Sequence, residues 1–221
     1  RLFNPRQTLL LTYFIEITRE LTSFYLNQNN IQKAELIGIY LAILLGKHIG
    51  SNSRLSTYNS IGQNVASATS NKLNSIQWNH TEVNPFSSSS GSLQVIKEYI
   101  LKGVKYANKN LLDKNSNPIL SNESTISLNP ISKFKLIVTD PPYKDDVPYG
   151  EFSDFFYVWE SRALKGLFTN LNPVLKFSET PKDEEIDESM LRTEKFFEHA
   201  FKKAIKNLHG ILDDDGLLVL F

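Results

Sequence analysis

The sequence has no cysteine among its 221 residues. Disulfides and thiolate metal sites are therefore excluded, which fits a cytoplasmic chain. Net charge is also lacking: 24 basic residues balance 24 acidic ones. Any nucleic-acid contact must then come from a local patch rather than a global basic field. No apolar run approaches the roughly 20 residues of a membrane span. The longest candidate, Ile37 to Ile49, is interrupted by Lys47 and His48. No signal peptide and no internal repeat is visible. His48, His80, His199 and His209 are scattered without metal-ligand spacing and read as solvated or core histidines. The chain opens on Arg1 rather than Met and closes on the apolar strand pattern Gly216 to Phe221, so it reads as a piece of a longer protein.

What is present divides into three stretches: a helical hairpin over 1–50, a loop-rich segment with one helix over 51–130, and a strand–helix–strand part over 131–221. Asn4-Pro5 predicts a capped helix start. Leu10, Phe14, Ile17, Leu21 and Phe24 then follow at helical spacing. A second helix from Ile31 to about Ile49 is nearly apolar all round, which predicts burial. Ser51 to Asn79 is a long polar connection, with Arg54, Tyr58 and Trp78 as possible anchors. A short strand is expected at Thr81 to Phe86, a helix from Ser92 to about Leu111, and an edge strand near Thr125 to Leu128.

Leu136-Ile137-Val138 has the continuous apolar character of a buried parallel strand. Asp140-Pro141-Pro142-Tyr143 ends it, since neither proline can donate to a sheet ladder. A polar loop, an aromatic helix through Phe152, Phe155, Phe156 and Trp159, and an acidic loop with six carboxylates between Ser178 and Ser189 follow. A helix from Arg192 to His209, a turn at Asp213 to Gly216 and a final strand complete an α/β pattern. The aromatics of the first helix read as core rather than as a base platform. Lys202, Lys203 and Lys206 read as a solvated face, with phosphate contact as the lesser alternative.

The chemistry-bearing stretch is Asp140 to Tyr143. A carboxylate beside proline carbonyls makes a pocket of acceptors, because no proline nitrogen competes as a donor. Such a pocket suits an exocyclic amine with two hydrogens to give. An aromatic three residues on can stack over a planar ring. Amine plus flat ring describes a nucleobase such as adenine, which must leave a duplex to enter. The plainer alternative is a strand-end turn with a surface tyrosine.

Asp-Pro-Pro-Tyr after an apolar strand resembles the catalytic motif of amino-methylating DNA methyltransferases. The longer run from Asp140 through Pro148-Tyr149-Gly150 to Trp159 resembles a family of large prokaryotic adenine-specific DNA methylases that carry a zinc ribbon and a domain of unknown function at their start. Phe3-Asn4-Pro5-Arg6-Gln7 and Glu82-Val83-Asn84-Pro85-Phe86 also look like segments of that family. The resemblance implies an enzyme with a partial Rossmann-like methyltransferase sheet behind a helical N-terminal part. It implies S-adenosylmethionine as cofactor and DNA, with the target adenine flipped out, as partner. Asp140 and the Pro141 carbonyl would hold the amine, Pro142 would complete the turn, Tyr143 would stack, and Tyr149 would line the pocket. The family's Phe-x-Gly-x-Gly donor loop is not intact here. Asn84 and Phe86, ahead of the serines Ser87 to Ser90, stand in a suggestive place for it; a helix cap with a flexible lead-in is the plainer alternative, and the true glycine loop is expected outside this fragment. The zinc ribbon is absent with the cysteines, so the fragment alone is expected to be at most half of an active site. A methyltransferase for RNA or protein glutamine, and a non-catalytic DNA-binding or scaffold remnant, are the alternatives.

Overall fold

The structure is a computed structural model that describes residues 1–70, 75–110, 119–121, 123–128, 132–143, 149–168, 180, 186 and 194–221. Among the described residues the chain is a mixture of helix and strand with two two-stranded sheets. It divides into two compact units, Arg1–Ser116 with Glu151–Thr180, and Asn117–Gly150 with Pro181–Phe221.

The first unit begins with α1 (Pro5–Asn27) and α2 (Ile31–Ser51). The Asn4 side chain accepts from the Gln7 amide at 2.8 Å, and the Gln7 side chain accepts from the Asn4 amide at 2.9 Å. This reciprocal pair starts α1 where the sequence places it. The face α1 buries is not its most apolar one. Gln7, Leu11, Thr18 and Thr22 are buried, whereas Leu9, Tyr13, Ile17, Leu21 and Phe24 are exposed. Thr18 and Thr22 satisfy their hydroxyls on the carbonyls of Phe14 and Thr18, at 2.8 and 2.7 Å. Their small size permits close approach: a Cβ on Gly38 of α2 would lie 3.2 Å from Thr22 Oγ1.

The expectation that α2 is buried all round is corrected. Ala34, Gly38, Ala42, Leu45 and Ile49 face inward, while Leu36, Ile39, Tyr40 and Ile43 are exposed. By length and composition α2 is also long and apolar enough to cross a membrane, which a search for an unbroken apolar run overlooks.

The long connection is more structured than its composition suggests. β1 (Thr57–Asn59) and β2 (Asn64–Ala66) form an antiparallel hairpin, followed by a 3₁₀ turn at Ala68–Ser70. Asn59 Oδ1 organises the hairpin turn by accepting from the Ile61 and Gly62 amides, both at 3.1 Å. Arg54 is an anchor, bonding the Arg1 and Leu2 main chain. Trp78 is 98% exposed and anchors nothing, and Tyr58 is also exposed. The expected strand at Thr81 to Phe86 is not formed; His80 makes only an isolated bridge to Thr57.

α3 (Leu93–Asn110) follows and packs on α2. α4 (Tyr149–Leu164) supplies the rest of the core. Phe155 stacks on Phe3 with centroids 5.5 Å apart, and Trp159 meets Phe3 edge-on at 5.2 Å. These rings are core, as their spacing predicts. Arg19 of α1 donates to the carbonyls of Arg162 and Lys165 at 3.1 and 3.0 Å, satisfying the end of α4.

The second unit holds β3 (Phe134–Thr139), α5 (Glu194–Ile211) and β4 (Leu212–Leu220). β3 and β4 are parallel, pairing Leu136 with Leu217 and Val138 with Val219. The expected turn at Asp213 to Gly216 is absorbed into β4 as an irregularity opposite the Phe134–Leu136 interval. Leu136 and Val138 are exposed rather than buried, because among the described residues no element covers that face of the two-stranded sheet. Ala200, Ala204 and Ile211 are the buried positions of α5. Asn207 Nδ2 donates to the carbonyls of Thr125 and Ile126 at 2.9 and 2.7 Å, fixing a turn where an edge strand was expected. The acidic loop lies outside the described residues apart from Thr180 and Ile186, as do 144–148 of the polar loop.

Candidate functional site

β3 delivers Asp140 to its carboxyl end, where ligands bind in open α/β sheets. The Asp140 side chain is exposed, and Pro141 and Pro142 are half-buried. The backbone there offers carbonyls without proline N–H groups, so the turn presents acceptors. Tyr143 folds back over it. Its hydroxyl lies 3.1 Å from Asp140 Oδ1 and 2.7 Å from the main-chain oxygen of Phe221. A phenol has one hydrogen, so the carboxylate and the Phe221 oxygen compete for it. Phe221 is itself held by its amide, which donates to the Thr139 carbonyl at 3.2 Å. The tyrosine is thus tethered at its hydroxyl while the residue stays 53% exposed. Sequence reasoning did not foresee this tether, because a main-chain acceptor on the neighbouring strand leaves no mark in residue types.

Asp140 and Tyr143 are brought together. Tyr149 stands exposed at the start of α4, and no hydrogen bond or ring contact joins it to them among the described residues.

Asn84 and Phe86 belong to the first unit. The Asn84 side chain accepts from the Phe86 amide at 3.0 Å, and Phe86 is 85% exposed. The serine loop after them is a set of turns. The Ser87 amide donates to Asn84 O, the Ser89 amide to Ser87 Oγ, the Ser92 amide to Ser89 O and the Leu93 amide to Pro85 O. Gly91 has φ of +80°, and a Cβ there would lie 2.7 Å from the Cβ of Ser51. Its glycine character therefore serves packing against α2. The Ser87, Ser89 and Ser92 amides are thus bonded within the loop.

The loop is instead held by a buried polar chain. His48 lies 2.9 Å from Gly91 O through Nδ1, and 3.2 Å from Asn52 Nδ2 through Nε2. Because Asn52 Nδ2 can only donate, Nε2 accepts and Nδ1 carries the proton. Asn52 Oδ1 accepts from Gln7 Nε2 at 3.3 Å and from the Val83 amide at 3.1 Å. Gln7 also donates to Thr81 O at 3.1 Å. Burial holds His48 below the ordinary histidine range, an effect its bond to Gly91 partly opposes. At the rim, Arg6 pairs with Glu82 at 2.6 Å, and that bond together with Asn4 draws the Glu82 carboxyl down. Gln7 and Asn52 look like ordinary cap residues in sequence, so only their three-dimensional convergence reveals the chain.

Glu160 of α4 is a different kind of carboxylate. It lies over Gly46 of α2, where a Cβ would collide with its carboxylate, and burial raises its pKa.

No family model, curated protein or solved structure matches the chain.

Proposed function

We propose that the turn from Asp140 to Tyr143 holds the exocyclic amine of a flat ring, and that the chain carries the target-base part of an enzyme methylating the N6 amine of adenine in DNA. The observation that carries the proposal is the pairing of an exposed carboxylate with a tethered, half-exposed tyrosine on an acceptor-only turn. Asp140 and the Pro141 carbonyl accept the two amine hydrogens, which turns the nitrogen lone pair away from them. Tyr143 lies against the base and contributes roughly 1–3 kcal/mol of stacking. Fixing the amine in one orientation supplies most of what the chain itself adds to the reaction. S-adenosylmethionine enters this proposal through the sequence resemblance alone.

The test is DNA methylation by the full-length protein with a labelled donor. Asp140→Ala and Tyr143→Ala both abolish or strongly reduce incorporation if the turn is the amine pocket. Undiminished labelling by Asp140→Ala would sink the assignment. A second reading, a non-catalytic DNA-binding or scaffold module, is favoured by the Ser87, Ser89 and Ser92 amides, which bond within the serine loop. Calorimetric titration with S-adenosylmethionine separates the two, since the scaffold reading requires no binding by the intact protein.

A further inference from the structure

α3 differs from its neighbours in charge. It carries Lys97, Lys102, Lys105 and Lys109 against the single acid Glu98, in a chain whose charges sum to zero. Its apolar side packs inward through Ile96, the helix's one buried residue, with Ile100, Val104 and Ala107 half-buried beside it. At 100° per residue, Lys102, Lys105 and Lys109 fall together on the opposite side, and all three are exposed. Tyr99 and Tyr106 lie along the flank of that stripe, two turns apart and also exposed.

The lysines are available. Among the described residues none of the three forms an ion pair, and Lys102 rests its ammonium 5.6 Å from the Tyr99 ring centroid. Lys102 and Lys109 are separated by about 10.5 Å along the axis, a span covering about three nucleotide steps at 3.4 Å each. Cations interleaved with exposed aromatics are the elements of a surface that tracks a phosphate backbone and offers platforms to bases. A lipid surface fits less well, because the apolar side of α3 is already packed on α2.

We infer that α3 is a nucleic-acid-binding helix, with Lys102, Lys105 and Lys109 on the phosphate backbone and Tyr99 and Tyr106 beside it. The inference does not depend on the amine pocket. Binding is therefore measured without methyl donor and without scoring methylation.

The experiment is fluorescence anisotropy of the full chain with a short labelled duplex and with a single strand of the same sequence, over a series of salt concentrations. The triple variant Lys102→Gln/Lys105→Gln/Lys109→Gln is expected to bind on the order of tenfold or more weakly. On duplex its log-affinity against log-salt slope should fall by about 0.9 for each phosphate that is no longer neutralised. Tyr99→Ala/Tyr106→Ala is expected to weaken the single strand more than the duplex. Circular dichroism of each variant confirms that the helices persist, since the substituted side chains face solvent. Wild-type-like affinity and slope in the triple variant would overturn the inference. So would failure of the unaltered chain to bind either DNA at low salt, or lysine-dependent binding to phosphatidylserine vesicles in place of DNA.

Discussion

Tyr143 places its hydroxyl 3.1 Å from the Asp140 carboxylate while 2.7 Å from the main-chain oxygen of Phe221. The hydroxyl and the ring therefore have separable roles. Tyr143→Phe keeps the stacking surface and loses one hydrogen bond, worth about 1 kcal/mol. Methylation by Tyr143→Phe should fall no more than about tenfold, whereas Tyr143→Ala should lose much more. Steady-state kinetics of the two variants on one DNA substrate checks the ordering. Equal losses would mean that the tether, not the ring, matters.

Asn52→Ala should be among the most damaging substitutions in the first unit. It leaves Gln7, the Val83 amide and His48 Nε2 short of a partner in a buried setting. Gln7 keeps the Thr81 carbonyl, and each of the other two buried polar groups left unsatisfied costs about 1–3 kcal/mol, so a loss of roughly 2–6 kcal/mol is expected from urea denaturation. A change below 1 kcal/mol would mean water replaces the side chain.

His48 gives the first unit a pH response of definite sign. Its folded pKa is lowered from the ordinary value of about 6.5, chiefly by burial. The unfolded chain then binds the proton first as pH falls. The stability contributed by neutral His48 is present above about pH 6.5 and is lost as pH falls toward the lower folded value. Glu160 acts in the opposite sense, since its raised folded pKa favours the folded state at lower pH. Denaturation midpoints should therefore fall more steeply between neutral and mildly acidic pH in Glu160→Gln than in the unaltered chain. His48→Gln should flatten that fall.

Gly91→Ala forces a side chain into a left-handed conformation and against Ser51. The conformational cost alone is about 1–2 kcal/mol. Calorimetric melting should show a lower Tm, and the loss should exceed that of Gly103→Ala, where a Cβ meets nothing within 4 Å. Parity between the two variants would show that the serine loop can reseat.

How much of this was readable in the sequence depended on whether the signal was local. The start of α1 was readable because Asn4, Pro5 and Gln7 act within one turn. The parallel pairing of β3 with β4 followed from an apolar run, two prolines and an intervening helix. The inward face of α1 was not readable, because Thr18 and Thr22 become core residues only through the glycine of the helix they meet. The hairpin of β1 and β2 was hidden by three-residue strands in polar sequence. At the candidate site, the residues of the turn were legible. The bond from Tyr143 to Phe221 was not, since it depends on strand pairing across 78 positions.

The ring contacts of Phe3 with Phe155 and Trp159 set an order of events during synthesis. Phe3 is made some 150 residues before its ring partners, a delay of roughly 8–30 s at 5–20 residues per second. Until then the helices of the N-terminal hairpin must persist with the ground for α4 uncovered. The nascent chain thus carries an unfilled aromatic seat until α4 is made.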